Sequence, residues 1–255
     1  MSEAALITGA AGDIGAATAR RLGESGSHVV VSDLDRGAAE ALAGELRASG
    51  VTATALPLDV ADEESVASGI ARVRERTGSL DVLVNAAGVV VVGEFDRFTR
   101  DEWLRVYEVN VYGSYLCLKH ALPLLREAGR QARVVNVASG AGKRPGPLIT
   151  PYGCAKAAVI SLTRSAAAAL APDIRVNCVS PGIVEGEMWE RLDSRLEQIG
   201  APPSARYAGR VRSLPLARGG SPDEVAEAIA FLASPASSYV VGEDLNVDGG
   251  QLMQS

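Results

Sequence analysis

The sequence AALITGAAGDIG, residues 4 to 15, gives the strongest indication of how this chain folds. Its first five residues form a short apolar run of strand character, which passes into the glycine turn TGAAGDIG and then into a helical pattern ending near Gly26. Glycines in such a turn let backbone N–H groups at the start of the helix approach a pyrophosphate. The stretch therefore predicts a strand, a turn and a helix that can bind a nucleotide, the alternative being a plain turn.

Beyond this stretch, short β-rich runs alternate with helical segments. The runs are AALIT (4–8), HVVVSD (28–33), TATALPLD (52–59), LDVLVN (80–85), ARVVNVAS (132–139) and IRVNCVS (174–180). The segments between them have apolar residues at helical spacing, as in Val66, Ile70 and Val73 at i, i+4 and i+7. The alternation predicts an α/β fold with a single doubly wound parallel sheet of Rossmann type and helices on both faces.

Composition limits the class of protein. With 255 residues, 47% hydrophobic, the chain predicts one domain over residues 1–255. A net charge of -6 argues against nucleic acid as a partner. No segment approaches the roughly 20 apolar residues of a membrane span, so a cytoplasmic protein without membrane contact is expected. Three separated cysteines predict buried free thiols, and two histidines make a metal site improbable.

One segment interrupts the alternation of strands and helices. Residues 187–212 combine mixed charge, Trp189 and the pair Pro202 and Pro203. This composition predicts an inserted helix and loop, which we expect to form a small lid over a binding cleft.

Three polar residues end predicted strands, at the edge where open α/β sheets bind ligands. Asp33 lies 18 positions after Gly15, near the spacing of an acid that accepts hydrogen bonds from an adenosine ribose. Its carboxylate would repel a 2′-phosphate and favour NAD over NADP, and Leu34 supplies no cation; the alternative role is a helix N-cap. Asp59 and Asn85 are further candidates, with local loop bonding as their alternative.

A phenol and an ammonium stand four residues apart at Tyr152 and Lys156. On a helix they share one face, so the ammonium can act on the phenol. A free tyrosine has a pKa of about 10, and a fixed positive charge nearby lowers it. Tyr152 is thus a candidate general base. The alternative is a tyrosine and a lysine on a solvated helix face.

Together, TGAAGDIG, NAAG at 85–88, Asn110, Ser139, YGCAK at 152–156 and SPG at 180–182 resemble the short-chain dehydrogenase/reductase family over essentially the whole chain. The resemblance implies that Tyr152 exchanges the substrate proton and Ser139 polarises the substrate oxygen. It further implies that Lys156 holds the nicotinamide ribose and lowers the pKa of Tyr152, while Asn110 positions a proton-relay water.

The same resemblance implies an NAD site. Its expected positions are Thr8, Gly9, Gly12, Asp13, Ile14, Gly15, Asp33, Leu34, Asp59, Val60, Asn85, Ala86, Gly88, Tyr152, Lys156, Pro181, Gly182, Ile183 and Val184. Two residues depart from the family pattern, which usually has glycine in place of Asp13 and often threonine in place of Gly186. We expect the Asp13 carboxylate to turn outward or to bond local backbone N–H groups.

The string SPGIVEGEMWERLD at 180–193 resembles acetoin reductases or butanediol dehydrogenases and polyol dehydrogenases. This implies a secondary alcohol or ketone as substrate, with Ser139 and Tyr152 at the reacting oxygen and Glu185, Glu187 and Trp189 as further contacts. The glutamates can equally lie on the outer face of a lid helix.

Two other functions stay open at this point. One is a 3-oxoacyl thioester reductase that uses NADPH; the other is a non-catalytic nucleotide-binding redox sensor. The resemblance also implies a homotetramer, in which small residues of the helix after Tyr152 permit close approach of a second copy. Packing on the chain's own sheet explains those small residues as well.

Overall fold

The computed structural model describes residues 3–128 and 131–253. Within them, seven strands form one parallel sheet in the order β3-β2-β1-β4-β5-β6-β7. The strands are β1 Ala4–Thr8, β2 His28–Asp33, β3 Ala53–Pro57, β4 Val82–Asn85, β5 Ala132–Val137, β6 Ile174–Pro181 and β7 Asp244–Val247. The order reverses between β1 and β4, which places a crevice at that point of the sheet. The predicted doubly wound parallel sheet is confirmed.

Helices cover both faces of this sheet. They are α1 Asp13–Glu24, α2 Arg36–Ala48, α3 Glu63–Thr77, α4 Arg100–Tyr107, α5 Gly113–Glu127, α6 Thr150–Leu170, α7 Glu187–Gln198, α8 Tyr207–Arg212 and α9 Pro222–Leu232. The helix predicted from Val66, Ile70 and Val73 is α3, and all three side chains are buried. In the described part of the chain, no helix combines the length and apolar character needed to cross a membrane.

The core has two layers, one on each face of the sheet. Along β1, Ile7 packs with α1, α2 and α9, whereas Leu6 packs on the opposite side with α3, α5 and α6. Strand side chains alternate between faces, so a strand buried on both sides is apolar throughout. Each fully buried large side chain contributes about 1.5–3 kcal/mol. This core holds the carboxyl ends of the strands in fixed positions.

Several predicted boundaries need correction. The strand predicted at 132–139 ends at Val137, because Ser139 already caps the short turn Gly140–Gly142 through its side chain. The strand predicted at 80–85 begins at Val82, since the Asp81 carboxylate accepts a hydrogen bond from the Ala4 N–H at 2.8 Å. Burial was predicted for every cysteine, but Cys154 is exposed on α6, whereas Cys117 and Cys178 are buried.

The predicted insertion is present as α7, a short turn at Pro203–Ala205, and α8. Ion pairs tie the segment together: Arg206 pairs with Asp193 at 3.0 Å and with Glu197 at 2.8 Å. The Tyr207 N–H also donates to Asp193 at 2.8 Å. The lid is therefore an ordered helical unit joined by its own charges.

Candidate active site

A cleft of about 630 Å³ opens at the carboxyl ends of the strands. One end is lined by the glycine turn and the end of β2, and the other by the loop after Ser139 and by the lid. The cleft thus lies in the crevice that the reversed strand order creates.

Close backbone contacts shape the glycine turn. Gly9 has a φ of 62°, and a Cβ built on it would lie 2.6 Å from Ala87 Cα. A Cβ on Gly15 would lie 2.2 Å from the Gly9 carbonyl oxygen. Only glycine fits at these two positions. The turn therefore packs against the end of β4 and directs the start of α1, whose N-cap Gly12 offers no side-chain bond, toward the cleft.

The Asp33 carboxylate stands at the end of the cleft next to this turn. Its Oδ2 accepts from the Ala11 N–H at 3.0 Å, and its Oδ1 accepts from the Asp35 N–H at 3.1 Å. Asp35 is the N-cap of α2, so the alternative role of Asp33 as that cap is wrong. Leu34 lines the cleft beside it and is 68% exposed.

Most of the other predicted cofactor positions also line the cleft. These are Gly9, Gly12, Asp13, Ile14, Gly15, Asp59, Val60, Ala86, Gly88, Pro181, Gly182, Ile183 and Val184. The Asp59 side chain also makes the local loop bond given as its alternative, since its Oδ1 accepts from the Ala61 N–H at 2.9 Å. Neither expected orientation of Asp13 is found: its carboxylate lies against Gly186 and, among the described residues, accepts no local backbone N–H.

Thr8 and Asn85 lie behind the cleft wall and not on it. The Asn85 amide donates to Asn136 Oδ1 at 2.9 Å and to the Ser114 carbonyl at 3.3 Å, while Thr8 Oγ1 accepts from the Ala87 N–H at 3.3 Å. Both side chains are buried. Their positions near the ends of β1 and β4 are as predicted, but the side chains bond within the protein, so they support the wall from behind.

Ser139, Tyr152 and Lys156 converge on the cleft. Tyr152 and Lys156 lie in the first turns of α6, which starts at Thr150 with Pro151 next to it. Lys156 Nζ is 5.5 Å from the centre of the Tyr152 ring and donates to the Val137 carbonyl at 2.8 Å. Ser139 Oγ accepts from the Ala141 N–H at 3.1 Å and is close enough to the Tyr152 hydroxyl to lower the pKa of that phenol. A phenol, a hydroxyl and an ammonium thus share one site.

Burial controls the protonation of these groups. It raises the pKa of Tyr152, and the Ser139 side chain opposes that rise. It also lowers the pKa of Lys156 to about 8. The predicted depression of the Tyr152 pKa by Lys156 is therefore not seen: burial dominates that pKa, and the Lys156 ammonium donates to the Val137 carbonyl. Tyr152 is therefore a neutral phenol near pH 7, whereas the Lys156 ammonium begins to lose its proton near pH 8.

Asn110 lies behind Gly88, in a π-helical turn at Glu108–Tyr112 between α4 and α5. Its amide donates to the carbonyls of Val89 at 2.9 Å and Val106 at 2.8 Å. Its Oδ1 is buried and has no hydrogen-bond partner within the described chain. A Cβ built on Gly88 would be 2.8 Å from this oxygen and 3.5 Å from Lys156 Nζ. Asn110 and Lys156 are thus neighbours beneath the cleft floor.

Three predicted substrate contacts, Glu185 and the lid residues Glu187 and Trp189, line the other end of the cleft. Trp189 meets the Tyr207 ring edge-on, with ring centres 5.8 Å apart. Glu185 accepts from the Tyr207 hydroxyl at 3.2 Å, and Glu187 pairs with Arg191 at 3.0 Å. Both carboxylates therefore already have partners in the lid.

Sequence reasoning missed several residues of this end. Arg144 and residues 146–149 of the loop after Ser139 line it, as do Arg210 of α8 and Gln251 near the carboxyl terminus. None of them stands at a spacing that signals a site. The position of Arg144 close after Ser139 was the available clue.

Comparison with known proteins agrees with this geometry. A family model described as "Enoyl-(Acyl carrier protein) reductase" matches residues 9–251. Galactitol 2-dehydrogenase of Agrobacterium fabrum (strain C58 / ATCC 33970) is 35% identical over 254 residues, covering 99% of this chain and 98% of the relative. The chain belongs to the short-chain dehydrogenase/reductase family. Cis-4-hydroxycyclohexanecarboxylate dehydrogenase of Sinomonas cyclohexanicum is 44% identical over 248 residues, covering 96% and 95%.

A solved short-chain dehydrogenase has nearly the same fold. The crystal structure of NAD+-bound xylitol dehydrogenase superposes with a TM-score of 0.93 at 35% identity, covering 97% of this chain and 98% of that one. The predicted family is confirmed, and the predicted similarity to polyol dehydrogenases is confirmed by these galactitol and xylitol dehydrogenases. As a short-chain dehydrogenase/reductase, the protein is an oxidoreductase acting on CH–OH groups.

Proposed function

We propose that this short-chain dehydrogenase interconverts a small polar secondary alcohol and its ketone, with NAD as cofactor. The observation that carries the proposal is the convergence of Ser139, Tyr152 and Lys156 on a cleft whose other end is the glycine turn. The relatives support it, because galactitol, cis-4-hydroxycyclohexanecarboxylate and xylitol dehydrogenases are all named for substrates that bear hydroxyl groups.

The cleft has the features that a dinucleotide requires. The turn at Gly9 and Gly15 has no room for side chains, and the uncapped start of α1 faces the cleft, as a pyrophosphate site demands. We infer that Gly12 to Gly15 hold the pyrophosphate and Asp33 the adenosine ribose. Pro181 to Val184 would flank the nicotinamide. When bound, the nicotinamide supplies the hydride acceptor in oxidation and the donor in reduction.

Tyr152 moves the proton in both directions. In oxidation its phenolate oxygen takes the proton from the substrate hydroxyl, and in reduction its phenol returns that proton to the carbonyl oxygen. Ser139, which lines the cleft with Tyr152, orients and polarises the same substrate oxygen. Because burial raises the pKa of Tyr152, the neutral phenol is the resting form. The Lys156 ammonium, next to the ring, stabilises the phenolate when it forms.

Lys156 and Asn110 extend this proton path beneath the floor of the cleft. The unpartnered Asn110 Oδ1 and Lys156 Nζ both lie close to Gly88. A buried oxygen of this kind is suited to hold an ordered water. We assign Asn110 to hold the water that connects Lys156 with solvent, so that the proton taken by Tyr152 can leave.

Asp33 and Leu34 support NAD over NADP. The Asp33 carboxylate is fixed by the Ala11 and Asp35 N–H groups at the ribose end, where it would repel a 2′-phosphate. Leu34 offers no positive charge there. An Arg at that position would be the expected partner of a phosphate.

A homotetramer and a cytoplasmic location complete the proposal. Small residues form an exposed strip along α6 at Ala157, Ser161 and Ser165, which favours packing against another copy over packing on the chain's own sheet. Tyr112 and Tyr115, at 45% and 44% exposure, offer further apolar surface near the start of α5. The buried free thiols Cys117 and Cys178 suit a reducing compartment.

A panel of substrates tests the reaction. NADH or NADPH formation by the purified protein would be measured with galactitol, sorbitol, xylitol, 2,3-butanediol and cis-4-hydroxycyclohexanecarboxylate. We expect turnover with NAD on at least one of these alcohols. NADPH consumption on 3-oxoacyl thioesters, with no alcohol oxidised, would instead support the thioester reductase. Tight NAD binding without turnover of any compound would support the nucleotide-binding sensor.

A further inference from the structure

Two arginines face the substrate end of the cleft from opposite walls. Arg144 lies on the loop after Ser139, where its backbone N–H donates to the Gly140 carbonyl at 2.9 Å, and it lines the cleft. Arg210 comes from α8 in the lid and reaches toward that loop, since a Cβ built on Gly146 would be 3.5 Å from Arg210 Nη2. Arg210 therefore lies against the loop that carries Arg144, and both residues line the cleft.

Unlike Arg206 and Arg191, Arg210 has no carboxylate partner among the described residues. Arg206, four residues earlier, pairs with Asp193 and Glu197, and Arg191 pairs with Glu187. Arg210 donates through Nε to the Ala205 carbonyl at 3.1 Å. Across the described ranges 3–128 and 131–253, neither Arg210 nor Arg144 forms an ion pair.

The nearby carboxylates of the cleft are already engaged. Glu185 accepts from the Tyr207 hydroxyl, and Glu187 holds Arg191. Burial lowers the pKa of Arg210, and the like charge of Arg144 lowers it further, in keeping with two cations that line the same cleft. Like charges placed together without a counter-ion destabilise the site, and an anion between them removes that cost.

We propose that the substrate carries a carboxylate, which Arg210 and Arg144 bind while the secondary hydroxyl lies at Ser139 and Tyr152. A guanidinium matches a carboxylate with two parallel hydrogen bonds, which a neutral polyol cannot form. Apolar side chains at Leu148, Ile149 and Met188 line the space around these groups and suit a hydrocarbon body that joins the acid to the carbinol. The inference rests on the proposed function and specifies its substrate class.

Binding of two ligands without a hydroxyl tests this separately from turnover. Cyclohexanecarboxylate and the neutral cyclohexanecarboxamide would be titrated calorimetrically into the NADH-loaded enzyme. We expect the carboxylate to bind at least about 10-fold more tightly. The Arg210→Gln variant should lose about 10- to 100-fold of the carboxylate affinity and leave that of the carboxamide unchanged. Arg144→Gln, whose side chain is more exposed, should show a smaller loss of the same kind.

Arg212→Gln is the matched control, because Arg212 lies on the same helix, is exposed and does not line the cleft. It should bind both ligands as the wild type does. Equal affinity for carboxylate and carboxamide would overturn the inference, and so would an equal loss for both ligands in Arg210→Gln. Oxidation of neutral alcohols with that binding result would leave the proposed function intact. Absence of all turnover with Arg210-dependent carboxylate binding would instead contradict the proposed function.

Discussion

The carboxylate of Asp13 occupies the space that a side chain at position 186 would need. A Cβ built on Gly186 would lie 2.3 Å from Asp13 Oδ2, and Gly186 has a φ of 139°, which side chains rarely adopt. These are the two residues that depart from the family pattern, which usually has glycine at 13 and often a threonine at 186. The two departures are therefore coupled, because the larger side chain of this contact is at position 13 here and at position 186 in the family pattern.

This contact predicts non-additive effects of substitution. Gly186→Ala should lower the melting temperature and weaken NADH binding, because the new methyl group meets Asp13 and the backbone is strained by about 1–3 kcal/mol. Asp13→Gly combined with Gly186→Ala should recover the part due to the clash, with a coupling of about 0.5–3 kcal/mol. Thermal unfolding and NADH fluorescence titration of Gly186→Ala, Asp13→Gly and the double variant measure this coupling. Strictly additive losses would contradict the coupling.

Asp33 should control the choice between NAD and NADP. Asp33→Asn removes the charge while keeping an acceptor for the Ala11 N–H, and Leu34→Arg adds a cation beside it. The double variant should gain at least about 10-fold in kcat/KM with NADP, because charge-assisted bonds to a phosphate replace repulsion. Steady-state kinetics with both cofactors measure the change. Leu34→Gln, which adds no charge, is the control, and an equal gain in that variant would contradict the prediction.

Lys156 should lower the stability of the folded protein. Its pKa falls from 10.5 to about 8 on burial, which corresponds to about 3 kcal/mol. Since the unfolded lysine stays protonated up to about pH 10.5, the full cost is present below pH 8 and shrinks as pH rises toward 10. Lys156→Met should therefore unfold in urea with about 1–3 kcal/mol more stability at pH 7, allowing for the lost bond to Val137.

The pH dependence supplies the check on this prediction. The stability advantage of Lys156→Met should narrow between pH 8 and pH 10, as the folded wild type loses the proton. A wild type more stable than the variant at pH 7, or a difference that stays constant up to pH 10, would show that the buried charge is not the cause.

Asn85 should matter for stability and not for cofactor binding. Asn85→Ala removes the bond to Asn136 Oδ1 and leaves that buried oxygen without this donor, at a cost of about 1–3 kcal/mol. The NAD dissociation constant should stay within about 2-fold, because the side chain does not reach the cleft. Urea unfolding and NAD titration of the same variant separate the effects. A large loss of NAD affinity with unchanged stability would restore the original assignment.

Most of the fold was predictable because it depends on local patterns. The apolar runs at β1 and β2 match the observed strands residue for residue, and the helical spacing of Val66, Ile70 and Val73 marked α3. Tyr152 and Lys156 were predicted to share a face because a helix fixes the geometry of residues four apart. Patterns of this kind need no knowledge of distant parts of the chain.

The features that were missed depend on contacts between distant segments. Asn85 was placed at the correct edge, but the direction of its side chain is set by Asn136, 51 residues away. Arg144 and Arg210 are distant in the sequence and line the same cleft only in the folded protein. The rise in the Tyr152 pKa follows from burial of the phenol in the folded protein, and the spacing to Lys156 does not reveal that burial.

The rate of NADH formation by Tyr152→Phe tests most directly whether this phenol carries the proton. On an alcohol that the wild type oxidises, we expect the rate to fall by at least about 100-fold, as for loss of a general acid or base, with NAD binding unchanged. Tyr239→Phe, at a fully exposed tyrosine, should retain the wild-type rate. Turnover by Tyr152→Phe within a few-fold of the wild type would contradict the role of Tyr152 and the mechanism built on it.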